Sequence, residues 1–285
     1  MAVTGLDLNG ANVLVTGGSR GIGPQIARAL SRHGARLGLV ARSGSELDAV
    51  AAALAADGAV AVPIAGDVTS AEDRWRVVAM AENELGPLDV LVNNAGGDPQ
   101  REFHRLTEAE ISGVIELNLT SAVLLGRIVL PGMLERGRGH IVNVSSMAGR
   151  TAFPYSEAYG AAKDGLIGFT RVLRGDYRRR GVSASALILG PIREAGVGAR
   201  TAEELDLRLP RLMATPADVG KATIRAIRRD KAEIAVLPGP GRTLRAIMDR
   251  FPNLGPALNR LGGAQKTMLA VAELRERQLS EPNAS

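Results

Sequence analysis

The sequence predicts an α/β fold in which a doubly wound, parallel, seven-stranded sheet carries helices on both faces. Short apolar runs alternate with longer stretches of helical periodicity along most of the chain, and this alternation is typical of a parallel sheet covered on both sides. A glycine-rich turn joins the first apolar run to the first helical stretch. With 285 residues and 45% hydrophobic content, the chain is long enough to bury the core that such a sheet requires.

Seven apolar runs are the predicted strands, and they lie at residues 12–16, 35–41, 60–64, 88–92, 140–145, 182–189 and 233–237. Helical stretches lie between them. The two longest predicted helices cover residues 107–136, with a break near Ser112 and Gly113, and residues 158–179.

A glycine-rich turn follows the first predicted strand. It reads Thr-Gly-Gly-Ser-Arg-Gly-Ile-Gly over residues 16–23, and Pro24 follows it. Glycine lets the backbone turn tightly and approach a diphosphate, while a helix start offers unpaired amides and the positive end of the helix dipole. Proline suits the first helical turn because its missing amide costs nothing there. The order of strand, turn and helix favours a nucleotide-binding site over an ordinary loop.

Three polar residues form a candidate proton-transfer site. Lys163 follows Tyr159 by four positions, so on a helix the two share a face and the ammonium is expected to lower the pKa of the phenol. Ser146 closes an apolar run before Tyr159, where its hydroxyl would bond a substrate oxygen. A phenol with a lowered pKa is a usable general acid or base near neutrality, so the set predicts proton transfer at a carbonyl.

Two neighbouring residues are alternatives to members of this set. Ser145 alternates to the other face of the strand, so Ser146 is preferred. Tyr155 meets Tyr159 rather than a lysine four residues later, so Tyr159 is preferred. A tyrosine and a lysine at this spacing also occur on solvated helix faces, where they carry no chemistry.

The chain resembles the short-chain dehydrogenase/reductase family, and in particular its carbonyl and ketoacyl reductases. The resemblance covers residues 8–240 and rests on ordered motifs, which are the glycine turn at 16–23, Asn-Asn-Ala-Gly at 93–96, Ser146, and Tyr-Gly-Ala-Ala-Lys at 159–163. Asn118 lies where the family carries a further asparagine. The resemblance implies a Rossmann-like fold and an oxidoreductase that moves hydride between a nicotinamide cofactor and a ketone or secondary alcohol.

The resemblance also implies catalytic roles. Tyr159 is expected to protonate the carbonyl oxygen, and Ser146 to hold that oxygen as its charge develops. Lys163 is expected to lower the pKa of the tyrosine and to bond the nicotinamide ribose, and Asn118 to support a water that links Lys163 to solvent. From the residues alone, Asn118 is a polar residue inside a helix that caps or kinks it locally.

The expected cofactor is NADP(H), with NAD(H) as the alternative. Ala41 ends the second strand where an acidic residue would bond both ribose hydroxyls of NAD, whereas Arg42 and Arg20 would hold a 2′-phosphate unless they are solvated surface residues. The other expected cofactor contacts are Gly17, Ser19, Gly21, Ile22, Gly23, Asp67, Val68, Asn94, Ala95, Gly96, Pro191 and Ile192, together with Tyr159 and Lys163.

The segment after the sixth strand departs from the family pattern. The family has Pro-Gly and then a threonine that bonds the nicotinamide carboxamide, whereas this chain has Gly190 before Pro191, and Thr201 is too distant. Backbone amides near Ile192 are the expected substitute. Residues 190–215 are the expected substrate lid, and its arginines would attract an acidic or carrier-borne substrate or remain solvated.

Composition and charge argue against a metal site, nucleic-acid binding and membrane contact. The chain has no cysteine and three histidines, His33, His104 and His140, at unrelated positions, so we expect no metal site and expect each histidine at the surface or in a loop. The net charge is +5, but the arginines are dispersed and aromatic residues are few, which disfavours nucleic-acid binding. Neither a signal peptide nor a run of 18 apolar residues is visible, which predicts a cytoplasmic protein and disfavours membrane contact.

We expect one dinucleotide-binding catalytic domain over residues 1–240 and a helical extension over residues 241–285. Residues 242–251 form a basic amphipathic segment that packs on the domain or a second subunit, covers a lipid-like substrate, or rests on a membrane. Residues 265–285 are expected to form a charged helix with a polar tail. In the family the two longest helices commonly form the dimer face, so the resemblance implies a homodimer or homotetramer.

Two other functions remain possible for this fold. One is a dinucleotide-binding regulator or scaffold without turnover, and the other is a dehydratase or epimerase with a tightly held cofactor. The intact set of candidate catalytic residues argues against the first, and the lack of a sizeable second domain argues against the second. The expected substrate is a small carbonyl or alcohol compound that is apolar or acyl-linked. The expected pocket residues are Phe103, Met147, Phe153 and Leu189. Each of them could instead belong to the hydrophobic core.

Overall fold

The computed structural model describes residues 5–193, 213–237 and 264–280. In these residues seven parallel strands form one sheet, in the order β3-β2-β1-β4-β5-β6-β7. The strands are β1 (Asn12–Thr16), β2 (Arg36–Ala41), β3 (Ala61–Ala65), β4 (Val90–Asn93), β5 (Gly139–Ser146), β6 (Val182–Leu189) and β7 (Glu233–Val236). Each strand lies where the sequence predicts it, so the predicted fold class is confirmed.

Helices cover both faces of the sheet. They are α1 (Gly23–Ser31), α2 (Gly44–Ala56), α3 (Ala71–Leu85), α4 (Glu108–Ile115), α5 (Ser121–Glu135), α6 (Glu157–Tyr177) and α7 (Pro216–Arg228), and a further helix, α8 (Ala264–Ser280), belongs to the C-terminal extension. Side chains of β1 alternate between two cores. Val13 and Val15 pack with α1, α2 and α7, whereas Leu14 packs with α3, α5 and α6. The near-continuous apolar runs of the sequence follow from this burial on both faces.

The strand order places the candidate motifs at one edge of the sheet. β1 pairs with both β2 and β4, so the sheet grows outward in opposite directions from this point. In such sheets ligands bind in the crevice at the carboxyl ends of the strands beside this switch. Thr16, Asn93 and Ser146 end β1, β4 and β5 respectively, which explains how motifs far apart in sequence meet.

The longest predicted helix is interrupted, but the predicted break at residues 112–113 is wrong. A single π-helical turn, Glu116–Thr120, separates α4 from α5. Asn118 is 1% exposed in this turn, and its Nδ2 donates to the carbonyl oxygens of Val114 (2.9 Å) and Gly97 (2.8 Å). Glycine inside a helix costs only about 1 kcal/mol, whereas a wider turn at Asn118 is held by these tertiary bonds. Such turns are frequent at functional sites.

The helical segment Glu108–Glu135 is long and apolar enough to cross a membrane when judged by length and composition alone, with a mean hydropathy of 1.6. Core helices of α/β proteins pass the same test. In this structure α5 contacts α3, α6 and β5, and α4 contacts α6. The segment therefore forms part of the helical layer on one face of the sheet.

His140 is buried, so the expectation of a surface or loop histidine is wrong at this position. It lies at the start of β5 with 2% of its surface exposed, and its Nε2 is 2.8 Å from the hydroxyl oxygen of Ser185. Burial lowers the pKa of His140 to about 4, against the opposing charge of Asp230 and with a smaller contribution from Arg174. The imidazole is therefore neutral at physiological pH. No cluster of His, Asp or Glu side chains in the described ranges could hold a metal ion.

The C-terminal extension contributes one described helix. α8 overlaps the stretch predicted to be a charged helix, residues 265–285, and it buries Met268, Val271 and Ala272 on one face. The basic amphipathic segment at residues 242–251 lies outside the described residues, as does most of the expected lid.

Candidate active site

The glycine turn after β1 needs glycine for geometric reasons. Gly17 and Gly21 have φ angles of 65° and 64°, in the left-handed region that favours glycine. A Cβ atom on Gly23 would lie 2.0 Å from the carbonyl oxygen of Gly17, which no side chain could tolerate. The turn is therefore tight, and the start of α1 lies against it.

The start of α1 fits an anion. No side chain of the described residues caps this helix, and its first turn carries no acidic residue. A serine or threonine side chain caps each of α2, α3, α4 and α7, whereas α5 and α6 share the lack of a side-chain cap with α1. An uncapped helix start leaves amides and the positive end of the dipole for a ligand. The residues present therefore fit the diphosphate of a dinucleotide.

Hydrogen bonds hold the Asn-Asn-Ala-Gly segment beside this turn. The hydroxyl of Thr16 accepts from the backbone amides of Asn94 and Ala95, each at 3.0 Å. The Asn94 Nδ2 donates to the carbonyl oxygens of Thr16 and Gly17, also at 3.0 Å. The Asn94 Oδ1 is buried and has no hydrogen-bond partner among the described residues. An unpaired buried acceptor at this place fits a ligand that donates a hydrogen bond, such as a ribose hydroxyl.

The turn after β3 is rigid. The Asp67 Oδ1 accepts from the amide (2.9 Å) and the hydroxyl (2.7 Å) of Thr69. Buried Arg74 donates to the carbonyl oxygen of Val68 at 2.8 Å and to Glu116 at 3.1 Å. Arg74 therefore links the expected adenine-binding turn to the π-helical turn that carries Asn118.

The two arginines expected near a 2′-phosphate are both exposed. Arg20 lies in the glycine turn and Arg42 directly follows β2. The hydroxyl of Ser19 donates to the Glu46 Oε2 at 3.0 Å. Glu46 is the acidic residue that contacts this turn, and sequence reasoning missed it because it belongs to α2 rather than to the end of β2.

Lys163 and Tyr159 lie together on the first turns of α6, next to the end of β5. The Lys163 Nζ is 5.5 Å from the centroid of the Tyr159 ring and donates to the carbonyl oxygen of Val144 at 3.0 Å. The hydroxyl of Ser146 accepts from the amide of Ala148 at 3.1 Å, and it lies near enough to the Tyr159 phenol to oppose the rise of its pKa. The hydroxyl of Ser145 instead donates to the carbonyl oxygen of Lys163 at 2.7 Å, so it holds α6 against β5.

Asn118 and Lys163 meet at Gly96. A Cβ atom on Gly96 would lie 2.6 Å from the Asn118 Oδ1 and 3.2 Å from the Lys163 Nζ. The Asn118 Oδ1 accepts from the amide of Gly97 at 3.1 Å. The four candidate catalytic residues and the Asn-Asn-Ala-Gly segment thus lie close together at the carboxyl edge of the sheet.

Burial controls the titration of both key groups. It raises the pKa of Tyr159 to about 12, with the Ser146 hydrogen bond opposing the shift and the charge of Asp98 adding to it. Burial lowers the pKa of Lys163 to about 8. The sequence predicts a lowered pKa for this phenol, whereas burial raises it, because desolvation disfavours the charged phenolate. At neutral pH the phenol carries its proton.

An isolated β-bridge holds the segment after β6, residues 191–193, against Ala214. Pro191 is exposed, Ile192 is buried, and Ile192 pairs with Ala214. The amide of Arg193 donates to the carbonyl oxygen of Ala214 at 2.9 Å. Among the amides expected to replace the missing threonine, that of Arg193 is therefore already engaged, and Thr201 lies outside the described residues.

The expected pocket residues divide between surface and core. Phe103 is 48% exposed in a 3₁₀ turn, Phe103–Arg105, and Phe153 is partly exposed. Leu189 belongs to the hydrophobic core that Val13 and Val15 share with α1, α2 and α7. Met147 packs against a small apolar cluster formed by Ile167, Ala186 and Ile188. Phe103 and Phe153 thus remain the candidates for substrate contact.

Asp98 is a residue of the site that sequence reasoning missed. It lies two residues after the Asn-Asn-Ala-Gly segment, and burial raises its pKa to about 6, against hydrogen bonds from Ser156 and the amide of Gln100 and with the charge of Glu157 adding to the shift. The available signal was an acidic residue directly after a cofactor motif.

This arrangement defines a short-chain dehydrogenase. The family model described as short chain dehydrogenase matches residues 11–205, and the chain belongs to that family. It is an oxidoreductase that acts on ketone or alcohol groups.

Two curated relatives and one solved structure place the chain more closely. The ketoacyl reductase HetN of Nostoc sp. is 37% identical over 235 residues, which cover 82% of this chain and 80% of the relative. The 3-oxoacyl-[acyl-carrier-protein] reductase FabG of Vibrio cholerae is 37% identical over 185 residues, or 65% of this chain and 75% of the relative. A metagenomic short-chain oxidoreductase solved in complex with NADP superposes with a TM-score of 0.70 at 32% identity, covering 82% of this chain and 100% of that chain. The chain is thus similar to ketoreductases of the family.

Proposed function

We propose that this chain is an NADP(H)-dependent carbonyl reductase that interconverts a ketone and a secondary alcohol, with Tyr159 as the proton donor and acceptor. The observation that carries the proposal is the meeting of Ser146, Tyr159 and Lys163 at the sheet edge that also holds the glycine turn. A general acid and a hydrogen-bond donor beside a dinucleotide cradle are the groups that carbonyl reduction needs.

The cradle would hold the cofactor along the carboxyl edge of the sheet. The glycine turn and the start of α1 would bind the diphosphate, Asp67 and Val68 the adenine, and Asn94 and the residues after it the adenosine ribose. When bound, the nicotinamide supplies the hydride that reduces the carbonyl carbon.

Side chains of this protein would bind the carbonyl oxygen of the substrate and transfer a proton to it. Ser146 would donate a hydrogen bond to the carbonyl oxygen and stabilise its growing negative charge. Tyr159, whose raised pKa keeps it protonated at neutral pH, would then deliver the proton. Lys163, with a pKa of about 8, is mostly charged at neutral pH and would bond the nicotinamide ribose. Asn118 would hold a water that returns a proton toward Lys163.

Specificity for NADP(H) rests on Ala41, Arg42 and Arg20. The end of β2 carries no acid that would repel a 2′-phosphate, and two exposed arginines lie in the flanking turns. Glu46 opposes this preference, because its carboxylate reaches Ser19 of the same turn. The solved relative that contains NADP supports the same choice.

A β-ketoacyl compound is the first substrate class to test. Both curated relatives are ketoacyl reductases by name, and the partly exposed rings of Phe103 and Phe153 would suit an apolar acyl chain. We further propose that the enzyme is cytoplasmic and assembles as a homodimer or homotetramer through its two longest helical segments, where Val172 is 64% exposed on α6.

The test compares the two cofactors in wild-type enzyme. Oxidation of NADPH and of NADH is followed by absorbance at about 340 nm with a panel of ketones and β-ketoacyl thioesters. The proposal predicts a kcat/KM at least about tenfold higher with NADPH, a difference of about 1.4 kcal/mol that forked arginine contacts with a phosphate would supply. A preference for NADH would overturn the assignment of Arg42 and Arg20. Tight NADPH binding without turnover of any ketone or corresponding alcohol would favour a regulator or a held-cofactor enzyme.

A further inference from the structure

α6 begins at a serine that does not cap it. Ser156 occupies the N-cap position, and serine there commonly accepts a hydrogen bond from the helix amides, but its side chain makes no such bond with the described residues. Its hydroxyl instead donates to the Asp98 Oδ2 at 2.6 Å. The two residues are far apart in sequence, so the bond joins the loop after β4 to the first turn of α6. Tyr159 lies on that same turn.

Strained backbone flanks both partners of this bond. Among the described residues, three that are not glycine have φ in the left-handed region, and two of them are Gln100 with φ of 51° and Tyr155 with φ of 58°. Each such conformation costs on the order of 1 kcal/mol, so tertiary contacts must hold it. The Asp98 Oδ1 accepts from the amide of Gln100 at 3.2 Å. Both oxygens of this carboxylate therefore maintain the local geometry.

The far side of the loop is also anchored. Arg101 is nearly buried, with 11% of its side chain exposed, and it forms ion pairs with Glu110 of α4 and Glu276 of α8. The loop that carries Asp98 is therefore fixed at both ends, and Asp98 can transmit a defined position to α6.

We propose that Asp98 is a positioning residue for Tyr159: the carboxylate of Asp98, through its hydrogen bond with Ser156, fixes the first turn of α6, which carries the phenol. This inference rests on the proposed function, because it assigns Asp98 a part in the proton transfer by Tyr159.

The charged groups around Asp98 determine whether its charge raises or lowers the pKa of Tyr159. Glu157 on α6 adds negative charge beside it, Arg101 of its own loop is engaged by two carboxylates, and Lys163 donates to β5. The ionised Asp98 raises the pKa of Tyr159. Removing that charge must therefore lower the pKa of the phenol, and alcohol oxidation, which needs the ionised phenol, must then reach its plateau at lower pH.

The test uses two variants of the holoenzyme that separate charge from contact. Asp98→Asn keeps an acceptor for Ser156 and loses the charge, whereas Ser156→Ala keeps the charge and loses the contact. The control is Asp48→Asn, an exposed carboxylate on α2. We measure kcat and KM for carbonyl reduction and the pH profile of alcohol oxidation.

Asp98→Asn should shift the oxidation profile to lower pH by at least about half a pH unit, as expected for a charge acting through a partly buried site. Ser156→Ala should lower kcat by about tenfold without that shift, because a misplaced acid loses rate. Asp48→Asn should match wild type in both. An Asp98→Asn profile that coincides with wild type, or a Ser156→Ala variant with wild-type kcat, would overturn the inference.

The experiment distinguishes a failure of the proposed reductase function from a failure of the role given to Asp98. A wild-type enzyme that reduces no carbonyl refutes the reductase, whereas an active wild type with an unaltered Asp98→Asn refutes only the role of Asp98. Titration of the phenols by absorbance at about 295 nm, with Tyr159→Phe subtracted, compares the pKa of Tyr159 in wild type and Asp98→Asn without any turnover. Equal values there would also overturn the inference.

Discussion

His140 links the folding free energy to pH, and this link can be measured without any activity. Its pKa is 6.5 in an unfolded chain and about 4 in the folded protein, mainly because of burial. As the pH falls, the unfolded chain therefore takes up the proton first. The stability that neutral His140 contributes is complete above pH 6.5 and is lost as the pH falls toward 4.

The magnitude follows from the size of this shift. One pKa unit corresponds to about 1.4 kcal/mol, and integration of the two titrations from about pH 7.5 to about pH 5 gives a loss of about 2 kcal/mol. His140→Gln removes the titration while an amide can still reach the hydroxyl of Ser185. The free energy of unfolding of wild type, minus that of His140→Gln, should thus fall by about 2 kcal/mol over this range.

The assay is urea unfolding followed by far-ultraviolet circular dichroism, at one protein concentration and several pH values. His33→Gln is the matched control for replacing a histidine by glutamine, because His33 is exposed. A wild-type minus His140→Gln difference that stays constant over this pH range would refute the desolvation argument. The same argument gives the pKa values of Lys163 and Tyr159, so it would fail for them as well.

Two further substitutions test the cofactor cradle and the C-terminal helix. Gly23→Ala would place a methyl group 2.0 Å from a backbone oxygen, and its affinity for NADPH, measured by calorimetry, should be at least about tenfold weaker than that of wild type. Gly168→Ala is the control, because its added Cβ meets nothing within 4 Å, and it should bind NADPH as wild type does. Equal affinities of the two variants would contradict the assignment of the glycine turn to the cofactor. Glu276→Gln removes one partner of Arg101 and should lower the free energy of unfolding by about 1 kcal/mol. Because Arg101 anchors the loop that carries Asp98, the variant should also lower kcat severalfold. Glu273→Gln, at an exposed position of the same helix, should behave as wild type, and a Glu276→Gln enzyme that does the same would show that α8 does not hold the loop after β4.

The sheet was predictable from the sequence because its strands are buried on both faces. β1 and β6 are buried at every position, and such strands read as continuous apolar runs. The positions of Ser146 and Tyr159 in the site were predictable for a related reason, since ordered motifs at the ends of parallel strands meet at one edge.

Features that depend on tertiary contacts were not predictable. The π-helical turn at Glu116–Thr120 is accompanied by bonds from Asn118 to the loop after β4, and no local period signals them. The bond between Asp98 and Ser156 joins residues distant in sequence. The titration of Tyr159 depends on how deeply the phenol is desolvated, whereas spacing reveals only that a lysine is near.

The most direct test of the reductase account measures alcohol product formed from a ketone and NADPH by Tyr159→Phe beside wild type. Tyr177→Phe is the matched control, since Tyr177 ends α6 and packs against the core. The account predicts that Tyr159→Phe still binds NADPH but loses about a hundredfold or more in kcat/KM, the usual contribution of a positioned general acid, while Tyr177→Phe retains its rate. A Tyr159→Phe enzyme that forms product at the wild-type rate would contradict the account.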